Sequence, residues 1–148
     1  MMTYGELTRA LSNVLRRGAI GTPVSLRLFL HLPEPDADLD VAVATLMRLV
    51  EIVFPGEAAD LAARLDSSER QLNVLIRTSD GRTVSLSVVR GGTAAVPMNL
   101  LLIGNRGIVR FEGADSVLPF AAEDVAEEAD HWKRRIKAAR LSANPSEV

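Results

Sequence analysis

Two histidines are the residues of this sequence whose side chains titrate nearest to neutral pH, so they are the first candidates for acid–base chemistry. His31 falls at the end of the first predicted strand, and His131 falls on the last predicted helix, four residues after Glu127. We interpret His31 as a half-exposed residue at the end of a strand, with an acid–base or ligand contact as the alternative. We interpret His131 as the solvent-facing partner of Glu127.

Carboxylates and glycines form the other clusters with possible chemistry. The acidic run consists of Glu34, Asp36, Asp38 and Asp40, and it lacks the glycine and the bidentate glutamate of a calcium loop. We expect Asp36 to cap a helix, with Asp38 and Asp40 in the first turn, where the helix dipole favours negative charge. The run is therefore interpreted as capping and solvation, and no metal ligands are predicted.

The glycine clusters lie at 18–21, 91–92 and 104–107, and none fits a dinucleotide-binding or P-loop pattern. No G-x-S-x-G nucleophile elbow occurs either. We therefore predict neither catalytic nor cofactor-binding residues in this chain.

Composition narrows the class of protein. The chain has 148 residues, 17 Lys and Arg against 19 Asp and Glu, a net charge of −2 and no Cys. Such a length suits one domain. The slightly negative net charge does not indicate a basic surface for binding nucleic acid or a polybasic patch for binding a membrane. Without cysteine there is neither a disulfide nor a thiol nucleophile. The amino terminus lacks the features of a signal peptide, so we expect a cytoplasmic protein with no membrane partner.

Hydrophobic periodicity predicts three helices and six strands. The helices cover 3–17, a segment between Asp36 and Pro55, and 121–141; the strands cover 22–32, 59–65, 71–79, 82–90, 98–103 and 108–111. Asp80-Gly81 predicts a two-residue hairpin turn with positive φ at both positions. Strands joined by hairpins indicate an α+β fold, with an open, mostly antiparallel six-stranded sheet and helices packed on one face. We expect a single domain over 1–141 and a flexible tail over 142–148.

The face of the predicted sheet that points away from the helices has an unusual composition. It combines small polar residues with arginine and a few apolar side chains, whereas lysine is absent from every predicted strand. Arginine and small hydroxyl residues suit partly desolvated contacts better than lysine does. We therefore predict that this face is an interface or ligand-contact surface; the alternative is an ordinary solvent-exposed face. The predicted contact residues are Arg27, Phe29, His31, Asn73, Leu75, Arg77, Ser85 and Ser87.

Four strings, in this order, resemble the C-terminal domain of Gfo/Idh/MocA-type oxidoreductases. They are LSNVLRRGAIGTPVSLRLFLH, MRLVEIVFPGEAADLAARL, RTSDGRTVSLSV and LLLIGNRGIVRFEG, and the resemblance covers about residues 5 to 140. It implies an open, mostly antiparallel sheet whose free face forms a dimer contact or helps to wall a substrate pocket. The family's Rossmann domain, with its glycine-rich loop and catalytic lysine, has no counterpart here. Ala44 or Thr45 stands where the family often has a helix histidine.

Three functional hypotheses follow. The first is a freestanding, non-catalytic binding or assembly module that forms a homodimer, or docks a partner, through its open sheet. The second is the substrate-domain subunit of a split oxidoreductase acting on a sugar-like substrate, in which NAD(P) binds only through a Rossmann-domain partner protein. The third is an enzyme with a pocket for a small polar ligand near Arg27, His31 and Arg77.

Overall fold

The structure is a computed structural model that describes residues 4–55, 58–93, 97–113 and 126–143. Its described residues form three helices and six strands in the order α-β-α-β-β-β-β-β-α. The helices are α1 (Tyr4–Arg17), α2 (Leu39–Val53) and α3 (Ala126–Ala143). The strands are β1 (Pro23–Leu32), β2 (Ala58–Leu65), β3 (Gln71–Thr78), β4 (Thr83–Arg90), β5 (Met98–Gly104) and β6 (Ile108–Gly113).

The six strands form one sheet in the order β2-β3-β4-β1-β5-β6. Strand β1 lies inside the sheet, parallel to β4 and antiparallel to β5, and every other pairing is antiparallel. A parallel neighbour needs a crossover connection, which α2 and the β2–β3 hairpin supply between β1 and β4. The predicted α+β fold, with a mostly antiparallel open sheet of six strands, is confirmed.

The core lies between the sheet and the helices. Every second residue of β1, β3, β4 and β5 is buried there, mainly leucine and valine, which is the alternation that a sheet covered on one face requires. Helix α2 is buried on most of its surface, and even its polar residue Thr45 is only 1% exposed. The Thr45 hydroxyl donates to the Val41 carbonyl at 3.0 Å, which satisfies the buried group.

The start of α2 differs from the sequence-based expectation. Asp38, and not Asp36, is the N-cap, and its carboxylate accepts a hydrogen bond from the Val41 amide at 3.2 Å. Asp40, expected in solvent, is 8% exposed and accepts a hydrogen bond from Arg140 at 2.7 Å. The acidic run is therefore divided between a cap and a buried ion pair with α3, a partner 100 residues away along the chain.

The hairpin between β3 and β4 is wider than expected. Gly81 has a φ of 88°, but Glu69 is the one described non-glycine residue with a positive φ, so Asp80 does not take that conformation. The Gly81 amide donates to the Thr78 carbonyl at 3.0 Å, and the Thr78 amide donates to the Arg82 carbonyl at 2.9 Å. Three residues, 79–81, therefore connect these hydrogen-bonded ends, and only the glycine needs the left-handed region.

The ends of the predicted segments fall partly outside the described residues. These segments are the first residue of the predicted helix over 3–17, the first part of the last helix at 121–125, and 144–148 of the predicted tail. Helix α3 continues to Ala143, two residues into the segment that we expected to be a tail. None of the described helices is long and apolar enough to cross a membrane.

Candidate functional site

The face of the sheet opposite the helices is called the open face. Strand register defines its rows, because residues paired across neighbouring strands point to the same side. One row runs from Leu75 through Ser85, Arg27 and Leu101 to Arg110; the next runs from Asn73 through Ser87, Phe29 and Asn99 to Glu112. Seven of the eight predicted surface residues, all except His31, are exposed or partly buried on this face.

A concavity of about 300 Å³ lies in the middle of the open face. It spans β4, β1, β5 and β6, and its lining residues are Arg27, Leu28, Phe29, Ser85, Ser87, Asn99, Leu101 and Arg110. Arg27 is exposed and has no hydrogen-bond or ion-pair partner among the described residues. The concavity therefore combines a free guanidinium group with hydroxyl, amide and apolar surface.

Two polar clusters lie on the β2–β3–β4 side of the open face. Gln71 Nε2 donates to Ser87 Oγ at 2.9 Å, and Ser87 Oγ donates to Asn73 Oδ1 at 2.8 Å. Arg77 forms an ion pair with Asp60 on β2. The acceptor oxygen of Asn73 is therefore already occupied, whereas its amide nitrogen makes no hydrogen bond within the described residues.

Asn99 stands out among the polar groups of the open face. Its Oδ1 atom is buried and has no hydrogen-bond partner within the described part of the chain. A buried oxygen without a donor costs about 1–3 kcal/mol, so native structures rarely leave one unpaired. The cost would be relieved if the Asn99 amide turned this oxygen towards a donor at the surface.

The open face also carries large apolar side chains in contact with solvent. Leu75 on β3 is 61% exposed and Ile108 on β6 is 66% exposed. Isolated surface leucines are common, but these two lie on the same face as the partly buried Phe29 and Leu101. An apolar and polar mixture of this kind is typical of non-obligate protein interfaces.

His31 does not belong to the exposed part of this surface, which corrects its predicted half-exposed position. It is 6% exposed, and its Nε2 lies 2.8 Å from the Gly91 carbonyl oxygen. Its backbone amide also donates to the Pro97 carbonyl at 2.7 Å, so segments after β4 and before β5 cover the end of β1. Neither His31 nor Arg77 lines the concavity beside Arg27, so the three residues that the third hypothesis placed near one pocket do not converge.

Asn99, Leu101 and Arg110 line the concavity but were not among the predicted site residues. The sequence of β5 is almost continuously apolar, so an alternation of apolar and polar residues could not distinguish its open-face residues from its buried ones. The alternation of Arg110 with Phe111 and Glu112 in β6 is a signal that identifies a half-exposed strand. Pairing Arg110 with Leu101 needed the observed register.

A second concavity, of about 370 Å³, lies on the other side of the molecule, at the start of α2. Four of its charged residues are already engaged: Arg140 binds Asp40, Arg90 donates to the Ala37 carbonyl at 2.8 Å, and Asp38 lies 3.6 Å from Lys133. In the ranges that the structure describes, no group of three or more His, Asp or Glu residues could hold a metal ion.

A mostly antiparallel open sheet with the described helices on one face is the architecture that the sequence resemblance to the C-terminal domain of Gfo/Idh/MocA-type oxidoreductases implied. Comparisons with protein-family models and with curated protein sequences gave no match. Comparison with solved structures did give matches, and they confirm the expected resemblance in fold.

The matching structures include inositol dehydrogenases. Scyllo-inositol dehydrogenase from Lactobacillus casei, solved with bound NAD(H) and scyllo-inositol, matches with a TM-score of 0.61 and 12% identity over 92% of this chain. Myo-inositol dehydrogenase from Corynebacterium glutamicum matches with a TM-score of 0.59 and 16% identity over 88%. Myo-inositol 2-dehydrogenase from Lactobacillus plantarum matches with a TM-score of 0.61 and 13% identity over 90%.

This chain covers 52%, 50% and 52% of the lengths of those structures, respectively. It therefore has the fold of one domain of a larger dehydrogenase, as expected for the C-terminal domain alone.

Proposed function

We propose that this chain is a non-catalytic assembly module whose open face binds a second copy of itself. The observation that carries the proposal is the self-complementary order of residues in the rows of the open face. Packed sheets keep their strand directions within about 30° and lie about 10 Å apart. A twofold axis along the strands, between β4 and β1, is compatible with that geometry.

A rotation about this axis places each row of the second copy opposite the same row of the first copy. Across the sheet, the strands of the second copy then follow one another in the reverse order. In the first row, Leu75 lies opposite Leu101 of the second copy, and Arg27 lies opposite Ser85 of the second copy. Apolar surface thus meets apolar surface, which removes the 61% exposed Leu75 from water. An isologous interface makes each of these contacts twice.

In the second row, Asn73 lies opposite Asn99 of the second copy. The Asn73 oxygen accepts hydrogen bonds within its own subunit, but its amide nitrogen is available. It can donate to Asn99 Oδ1, which is buried without a partner among the described residues, once the Asn99 amide turns that oxygen towards the second copy. The arrangement would therefore supply a hydrogen-bond donor to the Asn99 oxygen.

The proposal is tested by static light scattering with two matched variants. Leu75→Glu introduces a charge on the open face, whereas Leu141→Glu introduces the same charge on α3 at a residue that is 59% exposed. We expect the wild-type protein and Leu141→Glu to be dimers at high micromolar concentration and Leu75→Glu to be a monomer. A monomeric wild-type protein, or equal behaviour of the two variants, would contradict the proposal.

A second candidate function rests on chain coverage. Because the chain spans about half of each of those dehydrogenases, it could serve as the substrate domain of an oxidoreductase whose NAD(P)-binding Rossmann domain is a separate protein. The chain alone would bind no cofactor, and the substrate would be sugar-like. Mixing with a candidate Rossmann-domain protein separates the two functions, since only the second predicts a complex with NAD(P)-dependent turnover.

A further inference from the structure

Two arginines frame the concavity of the open face without an acidic residue between them. Arg27 and Arg110 occupy the same row, with Leu101 on the strand between them. At a strand spacing of about 4.8 Å, their Cα atoms are about 10 Å apart. Among the described residues, no carboxylate lines the concavity, and Arg110 reaches only Glu112, at 4.0 Å, in an exposed pair.

Dimerisation would bring these charges closer to charges of the same sign. In the twofold arrangement, Arg27 and Arg27 of the second copy lie on the two strands that flank the axis, so their Cα atoms are about 11 Å apart. That distance is shorter than two extended arginine side chains. Like charges placed together in a desolvated interface are strongly unfavourable unless a counter-charge accompanies them.

We propose that the concavity binds a multiply charged oxyanion, with carboxylate or phosphate groups, between Arg27 and Arg110, and that this anion promotes dimerisation. The inference rests on the proposed dimer. Guanidinium groups bind planar carboxylates and phosphates through paired hydrogen bonds, and a cavity of about 300 Å³ has room for such a group. Ser85, next to Arg27 in the row, offers a hydroxyl with no partner among the described residues.

The anion would act by neutralising the two arginines as the second copy covers them. An ordinary salt effect on an interface follows ionic strength alone. The proposed effect depends instead on the chemistry of the anion, and it disappears when Arg27 loses its charge. These two properties distinguish a specific site from general screening.

Sedimentation equilibrium in sodium chloride, inorganic phosphate and tricarballylate at equal ionic strength tests the inference. We expect the dimer Kd of the wild-type protein to fall about tenfold in one or both oxyanions, equivalent to about 1.4 kcal/mol. A response to phosphate alone assigns a phosphate site, and a response to tricarballylate alone assigns a carboxylate site. Arg27→Gln should dimerise equally in all three salts.

Arg134→Gln is the matched control, because Arg134 is an exposed arginine on α3, on the other side of the sheet from the concavity. It should keep the wild-type response to oxyanions. If the wild-type protein dimerises equally in all three salts, the anion site is wrong and the dimer stands. If neither the wild-type protein nor Arg27→Gln dimerises in any of them, the proposed dimer is wrong, and the anion site falls with it.

Discussion

Arg140 Nη2 donates to Asp40 Oδ2 at 2.7 Å, which joins the last part of α3 to the first turn of α2. The side chains are 18% and 11% exposed, so this ion pair is largely removed from water. The Arg140 Nε atom is buried without a hydrogen-bond partner among the described residues, so Asp40 is the main compensation for this charge. The pair therefore fixes where α3 lies on the helical layer.

Removing one member of this pair should be costly. Asp40→Ala leaves the Arg140 charge uncompensated, and we expect a loss of about 3 kcal/mol in the free energy of unfolding. Asp60→Ala is the control, because the Asp60–Arg77 pair is 61% and 65% exposed, and it should cost less than about 1 kcal/mol. Urea unfolding followed by circular dichroism measures both. Equal losses in the two variants would show that Asp40 and Arg140 are not a buried pair in solution.

Trp132 anchors the middle of α3. It is 9% exposed, and its indole nitrogen donates to Glu51 Oε1 on α2 at 2.7 Å. Trp132→Phe keeps most of the apolar contact and should cost about 1–2 kcal/mol, since the hydrogen bond to a charged group is lost. Trp132→Ala also removes the packing and should cost about 3–5 kcal/mol. Thermal unfolding of both variants would disprove this role if the alanine variant were as stable as the phenylalanine variant.

The turn between β5 and β6 contacts the chain that enters β1. A Cβ added to Gly104 would lie 2.2 Å from the Ile20 carbonyl oxygen, whereas one added to Gly107 would meet nothing closer than 3.4 Å. Gly104→Ala should therefore force the backbone apart and cost about 1–3 kcal/mol, as overpacking does. Gly107→Ala, at the other end of the same turn, should cost clearly less. Chemical denaturation compares the two, and equal stability would refute the close contact.

The turn between β2 and β3 gives the protein a pH-dependent contribution to stability. The Asp66 carboxylate accepts hydrogen bonds from the Ser68 hydroxyl and the Gln71 and Arg70 amides, and these donors hold its pKa below the ordinary value of 3.8. A carboxyl whose pKa is lowered on folding stabilises the protein above pH 3.8, and the contribution is lost as the pH falls through the folded-state pKa.

Asp66→Asn should therefore be less stable than the wild-type protein at pH 7, with a difference that shrinks as the pH falls below 3.8. Asp36→Asn is the control, since Asp36 is exposed and has no hydrogen-bond partner among the described residues. Unfolding by urea between pH 7 and pH 3 follows both variants. A difference between Asp66→Asn and the wild-type protein that stayed constant over this range would contradict the assignment.

The sequence was sufficient for features that depend on local pattern. Hydrophobic periodicity predicted a strand over 22–32, where the structure has β1, and the order of hairpins predicted the mostly antiparallel sheet. The burial of His31 could not be predicted in this way, because it depends on Gly91 and Pro97, which lie 60 or more residues later in the chain. The burial of Asp40 similarly depends on α3.

Only part of the open face could be predicted from the sequence, because the rest depends on how distant strands pair. Arg27, Phe29, Ser85 and Ser87 belong to strands with clear alternation, and the structure brings them to one concavity. The contribution of Asn99 and Arg110 depends on β5 pairing with β1 and on β6 pairing with β5. Register of this kind follows from the whole sheet and not from any single strand.

Cross-linking between cysteines at positions 73 and 99 is the most direct measurement of the proposed face-to-face dimer. The chain has no cysteine, so Asn73→Cys and Asn99→Cys each introduce one thiol. In the proposed dimer, position 73 faces position 99 of the second copy, whereas two copies of position 73 are about 14 Å apart sideways and about 10 Å apart across the interface. A short thiol–thiol cross-linker should therefore join mixed Asn73→Cys and Asn99→Cys proteins efficiently and join each variant alone poorly. Cross-linking that is no greater in the mixture than in the separate variants would contradict assembly through the open face.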